Sequence, residues 1–111
     1  MPRTTVLQVD DDPDWIRIIK DAFQGASIDL IQVTSLDEAK NTVDGVDVII
    51  CDGSIHEQYD GHNWAKELHE AGMKVIVLSA GQSYPEVPSV DKRGWTNGGK
   101  EKLVEFVQSQ G

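Results

Sequence analysis

The stretch Val6-Leu7-Gln8-Val9-Asp10-Asp11-Asp12-Pro13 decides how this chain folds. It closes a short apolar, β-rich run, Thr4 to Val9, and passes through three acids into a helix start. Asp12 is a candidate N-cap, Pro13 stands at the first helical position, and Trp15, Ile18, Ile19, Ala22 and Phe23 follow at helical spacing. A strand therefore feeds directly into an amphipathic helix, with a cluster of carboxylates at the junction.

The same alternation continues outward along the chain. Gly25 closes the first helix, Ile28 to Val33 reads as a second strand, and Ser35 with Glu38 forms a capping box ahead of Leu36, Ala39 and Val43. That second helix is expected to end at Gly45. Val46 to Cys51 is a third apolar run, and its Val48-Ile49-Ile50-Cys51 shows no alternation, as expected of a central strand covered on both faces. A polar loop leads to Trp64, Ala65 and Leu68 at helical spacing, stopped by Gly72, and Val75-Ile76-Val77-Leu78 supplies a fourth strand. Ser79 to Pro88 carries Gly81, Pro85 and Pro88 and reads as an extended or turn-like loop, because each proline removes a backbone donor and restricts the residue before it. A weak run at Val90 suits an edge strand beside Pro88. Lys100 to Gln108 then places Leu103, Val104 and Val107 on one helix face. Strands alternating with helices in this way predict a parallel sheet with right-handed crossovers and helices on both faces.

Composition bounds what such a fold does. The chain has 111 residues, 39% of them hydrophobic, which matches one domain over 1–111 and disfavours disorder. Its 10 Lys+Arg against 19 Asp+Glu give a formal charge of −9, which repels phosphate backbones and anionic lipid, so the expected partner is a protein or a cation rather than nucleic acid or membrane. Cys51 is a single cysteine inside a strand, in keeping with a reducing, cytoplasmic setting. The first residues lack the pattern of a signal peptide, and no apolar stretch reaches membrane-spanning length.

In a parallel sheet of this kind ligands bind outside the carboxyl ends of the strands. The first strand ends at Asp10-Asp11-Asp12, the third at Asp52, the fourth at Ser79 and the fifth at Asp91-Lys92, which delivers carboxylates, a hydroxyl and an ammonium to one rim. Clustered carboxylates repel unless a hard cation neutralises them, and Mg²⁺ takes one or two carboxylates together with waters and phosphate oxygens. A carboxylate beside such a cation can attack phosphorus, with lysine and hydroxyl groups stabilising the transferred oxygens. The constellation reads as a phosphoryl-transfer site.

At this point the chain resembles the receiver domain of two-component response regulators. The resemblance rests on Val6 to Pro13, Asp47-Val48-Ile49-Ile50-Cys51-Asp52, Asp60-Gly61, Val75-Ile76-Val77-Leu78-Ser79-Ala80 and Asp91-Lys92, and covers nearly the whole chain. It implies a flavodoxin-like, doubly wound five-stranded parallel sheet of strand order 2-1-3-4-5. It implies Asp52 as phospho-acceptor, Asp11 as direct Mg²⁺ ligand, Asp10 as the residue positioning metal-bound water, and the backbone carbonyl of Ser54 as a further metal ligand. Ser79 would bond a phosphoryl oxygen and Lys92 would pair with the phosphoryl group. The phosphoryl donor would be a phosphohistidine on a histidine kinase or phosphotransfer protein. The chain would then be a signalling domain rather than an enzyme, beyond removing its own phosphoryl group, and would pass the signal to a downstream protein or act as a relay or sink.

The chain also departs from the family's pattern. Ile55-His56 stands where Met-Pro is usual, and the stretch to Gly61 is one residue longer. Only 13 positions separate Ser79 from Lys92, where about twenty are needed for a full helix and a strand at ~1.5 Å of rise per helical residue, so the family's fourth helix is expected to be reduced or absent. Val87, Pro88, Ser89 and Val90 offer no counterpart to the aromatic switch residue. Any switch is then expected in the loop holding Gly81 and Tyr84. Arg93 replaces the proline after the lysine, which leaves Lys100 as an alternative to Lys92. A receiver-like interaction module that is not phosphorylated is the second reading, and a small phosphatase with Asp10 as nucleophile and Asp12 as acid the third.

Other residues carry ordinary structural readings. Asp12-Pro13-Asp14 suits a helix cap with favourable dipole charges. His56, His62, His69 and Cys51 lack zinc spacing. Trp15 and Trp64 read as core, Trp95 as exposed or loosely packed and a candidate partner contact, and Asn97-Gly98-Gly99 as a turn rather than a phosphate cradle.

Overall fold

The alternation of strands and helices is realised in the computed structural model, which describes residues 4–52, 60–79 and 87–110, without the side chains of 60–62 and 110. The strands are β1 (Thr4–Val9), β2 (Ile28–Val33), β3 (Val48–Asp52), β4 (Lys74–Ser79) and β5 (Ser89–Asp91). They form one sheet in the order β2-β1-β3-β4-β5, and every neighbouring pair is parallel. The helices are α1 (Pro13–Ala22), α2 (Leu36–Thr42), α3 (Asp60–Glu70) and α4 (Gly99–Gln110), with a 3-10 helix at Lys92–Asn97. This is the flavodoxin-like arrangement expected from the sequence.

Helices α1 and α2 begin where local chemistry supplies a cap. The Asp12 carboxylate accepts the Asp14 N–H at 2.9 Å, with Pro13 next in line, and the Ser35 hydroxyl accepts the Glu38 N–H at 3.2 Å. The returning arm of that capping box reaches one residue further out, where Glu38 accepts the Thr34 N–H at 3.3 Å. The turn at Asn97-Gly98-Gly99 requires a glycine: Gly98 has φ +103° and donates to the Gly94 carbonyl, a conformation costly for any residue with a Cβ.

Side chains of β3 explain why its apolar run shows no alternation. Val48 and Ile50 pack with Val6, Ile76, Leu78, Ile19, Phe23 and Leu103 under α1 and α4. Ile49 and Cys51 face the other way, into Leu7, Val9, Val75, Val77, Ala39 and Ala65 under α2 and α3. Both faces are covered, so every position of the strand is buried. Trp64 is buried as expected. β3 begins two residues later than the sequence pattern suggests, because Asp47 is engaged with β1: its carboxylate accepts the Thr5 N–H at 2.8 Å and its own N–H donates to the Thr5 carbonyl at 2.9 Å. α2 stops at Thr42, three residues short of Gly45, whose positive φ turns the chain.

Nine residues, 80 to 88, join β4 to β5, which limits any helix there to the reduced form expected from the spacing. Residues 80–86, including the loop of Gly81 and Tyr84, lie outside the described set. No helix among the described residues is long and apolar enough to cross a membrane. The double-sided core makes a direct prediction: Ile50→Ala, at a fully buried position of the central strand, should cost about 2–5 kcal/mol in chemical denaturation. Ile31→Ala on edge strand β2, where the side chain is 37% exposed, should cost less than half as much.

Candidate functional site

Parallel strands all run the same way, so their carboxyl ends share one edge of the sheet. Register decides how closely they meet. Val9 pairs with Cys51, which sets Asp10 level with Asp52; Asp52 pairs with Leu78, and Ser79 pairs with Asp91. The next residue in the chain after Asp91 is Lys92. The rim inferred from the ends of four strands is thus assembled by pairing.

Its geometry is compact. Asp10, Asp11 and Asp52 each offer a carboxylate oxygen within 4.8 Å of the others, with Asp10 and Asp52 buried and Asp11 exposed. Lys92 Nζ lies 3.2 Å from Asp10 Oδ2 and 3.5 Å from Asp52 Oδ1, so one ammonium bridges the two buried acids. The other oxygen of Asp10 accepts the Asp12 N–H at 2.9 Å. Ser79 is buried at the end of β4. Ser54 falls outside the described residues, as do Ile55 and His56.

Burial dominates the electrostatics of Asp10. Loss of hydration raises its carboxyl from 3.8 to about 6, and the negative charge of Asp52 adds to the rise, whereas the Asp12 N–H and Lys92 oppose it. Burial likewise pushes the Cys51 thiol well above its usual range, with Asp52 and Asp10 adding to the effect. Cys51 belongs to the core under α2 and α3 and takes no part in the acidic group, nor does His69 among the described residues. The side chains of His56 and His62 lie outside that set.

Of the two lysines the sequence offers, Lys92 takes up the bridging position, while Lys100 is exposed on α4, next to Glu101 and Val104. Arg93, which stands where proline was expected, donates its N–H to the Asp91 carboxylate at 2.9 Å, a bond proline cannot make, and this caps the 3-10 helix. Trp15 is half-buried and packs against the core under α1 and α4, and Trp95, also half-buried, packs against the same core rather than standing loose. The two rings meet edge to face, with centroids 5.2 Å apart and planes at 88°. Lys92 Nζ sits 5.0 Å above the Trp15 ring.

A second polar group escaped the sequence reading altogether. Gln8 is fully buried in β1 and is the register partner of Gln32 in β2. Gln32 Nε2 donates to Gln8 Oε1 at 2.7 Å and to the Ile16 carbonyl at 2.6 Å, and Gln8 Nε2 donates to the Trp15 carbonyl at 3.3 Å. The available signal was a glutamine interrupting each of two adjacent apolar runs.

No family model and no curated protein sequence matches the chain. Solved structures do match. The receiver domain of the Francisella response regulator 1452 aligns at TM-score 0.76 and 22% identity, over 98% of this chain and 100% of that one. The chain has the receiver fold. The signal receiver domain of an HD domain-containing protein from Pseudomonas fluorescens aligns at TM-score 0.80 and 14% identity, over 98% and 94% of the two chains. The chemotaxis protein CheY4 of Vibrio cholerae aligns at TM-score 0.74 and 18% identity, over 98% and 99%. In this receiver fold the acidic cluster occupies the rim at the carboxyl end of the sheet.

The raised carboxyl of Asp10 carries a prediction with a defined sign. Between pH 3.8 and about 6 the folded chain keeps a proton that the unfolded chain releases, so the stability due to this group is lost as pH rises through 6. Asp10→Asn should therefore stabilise the metal-free protein by about 1–3 kcal/mol at pH 7.5 and by about half as much at pH 5, with the difference gone near pH 3.5, as read from thermal melts across that range.

Proposed function

We propose that this chain is a phospho-accepting receiver whose acceptor is Asp52. The reading is carried by one observation: Asp10, Asp11 and Asp52 converge within 4.8 Å of one another, and Lys92 bridges Asp10 and Asp52. An Asp52 oxygen attacks the phosphorus of a phosphohistidine on a partner kinase or phosphotransfer protein, the P–N bond breaks as the O–P bond forms, and the ring nitrogen that held the phosphoryl group keeps the electron pair and takes a proton from solvent. Lys92 turns from the carboxylates to the incoming phosphoryl oxygens, and the Ser79 hydroxyl donates a hydrogen bond to one of them.

The carboxylate cluster fits a hard divalent cation, since its three oxygens are close enough to share one ion. Asp11 and Asp52 would ligate Mg²⁺ directly, with the Ser54 carbonyl, and Asp10 would orient a metal-bound water. Bound there, the cation supplies positive charge against both the clustered acids and the phosphoryl oxygens. The partners are a kinase or phosphotransfer protein and a downstream protein target in the cytoplasm, consistent with a chain of charge −9. The phosphatase alternative is disfavoured because the Asp12 carboxylate is engaged in capping α1 and Asp10 is fully buried.

Two experiments test this function. Incubation with Mg²⁺ and acetyl phosphate, followed by intact mass, should show one added phosphoryl group, and Asp52→Asn should abolish it without unfolding the chain. Label retained in that variant would move the nucleophile to Asp10, and no label in either protein would favour the non-phosphorylated interaction module. Separately, millimolar Mg²⁺ should raise the melting temperature by an amount that grows with metal concentration, and its removal with EDTA should reverse the gain. Asp52→Asn should stabilise the metal-free protein by deleting one like charge. Melting temperatures insensitive to both changes would refute a shared acidic site.

A further inference from the structure

We propose that Trp15 is the positioning residue for Lys92, holding its ammonium at the rim while the lysine exchanges carboxylate partners for a phosphoryl group; this rests on the phospho-acceptor reading above. Lys92 bridges Asp10 and Asp52, yet in the transfer step it must leave them. A lysine side chain freed in that way regains rotamer entropy worth up to ~2 kcal/mol, which opposes its capture by a new anion. The face of an indole ring attracts the ammonium without neutralising it or donating a competing charge. Trp15 presents such a face 5.0 Å from Nζ, so the ammonium keeps one partner throughout the exchange.

One contact holds the ring itself, and two others hold the turn that carries it. Trp95, three residues beyond Lys92 on the same 3-10 helix, packs against it edge to face at 5.2 Å, so Lys92 and Trp95 close on Trp15 as a pair. From beneath, Gln8 donates to the Trp15 carbonyl and Gln32 to that of Ile16, fixing the first turn of α1 to β1 and β2. Upstream, the Asp12 cap and Pro13 set the entry of the same turn. Gln8 is fully buried, and a buried amide on an otherwise apolar strand is costly unless bonded. Its bonds here lead to the residue under Lys92.

The test uses the full chain with Trp15→Phe and Trp15→Leu. In two-dimensional NMR of the metal-free protein, the Lys92 Hε signals should be displaced upfield by the ring current and should return to ordinary positions in Trp15→Leu, with Trp15→Phe between. With acetyl phosphate and Mg²⁺, Trp15→Leu should take up phosphoryl about 5- to 30-fold more slowly, the equivalent of ~1–2 kcal/mol, and Trp15→Phe should recover most of the rate. Thermal melts of both variants separate this from loss of fold. An unshifted Lys92 signal in the native chain overturns the proposal, and so does a normal rate in Trp15→Leu or an equal loss in both variants. Absence of any uptake by the native chain would instead refute the phospho-acceptor reading, and the ring-current shift would still decide whether Trp15 holds Lys92.

Discussion

Like charges gathered at the edge of a sheet repel, and that repulsion is the constraint around which the rim of this molecule is arranged. Asp10 and Asp52 are brought level by the pairing of β1 with β3, and both are buried, where loss of hydration sharpens the cost of charge. Lys92 is the described cation that meets both of them. The three-residue β5 matters for that reason more than for its contribution to the sheet: by pairing with β4 it delivers the residue after Asp91 to the acids. An ammonium offsets part of the repulsion and leaves Asp10 with a raised carboxyl. The three carboxylates still lie within 4.8 Å of one another, so the rim keeps an excess of negative charge.

The first turn of α1 links this rim to the interior. Asp12 ends the acidic run by turning its carboxylate back onto the helix, so of three consecutive acids two face the site and one starts the helix. Trp15 in the same turn lies under Lys92, and the turn is tied to the sheet by the buried glutamines. Cap, ring and amide pair together tie the α1 side of the rim to the sheet.

Much of this was legible in order along the chain. Pro13 after Asp12, the Ser35–Glu38 spacing, and the unalternating Val48–Cys51 run each express a local rule, and the elements formed where those rules placed them, within two or three residues. The carboxyl-end rule led to Asp10, Asp11, Asp12, Asp52, Ser79, Asp91 and Lys92 without any contact being known, although Asp12 and Asp91 cap the helices that follow them. Trp15 was harder, because helical spacing says that a side chain lies on the sheet-facing side and not how far along the helix the sheet edge comes. Trp95 stood in a segment without periodicity, so nothing in its neighbours announced that it would find Trp15. Gln8 and Gln32 looked like interruptions, and only register made them partners.

The sequence by itself determined the elements, their caps, the two-sided burial of the central strand and the set of polar residues sent to one edge, because periodicity and capping are interactions among residues a few positions apart. Tertiary structure alone decided which lysine reaches the acids, that one ammonium serves both Asp10 and Asp52, and that an indole lies beneath it. Lys92 and Asp10 stand 82 positions apart. No local pattern encodes such a contact; it follows from the strand register and from the packing of α1 against the sheet, which are settled by the whole core at once.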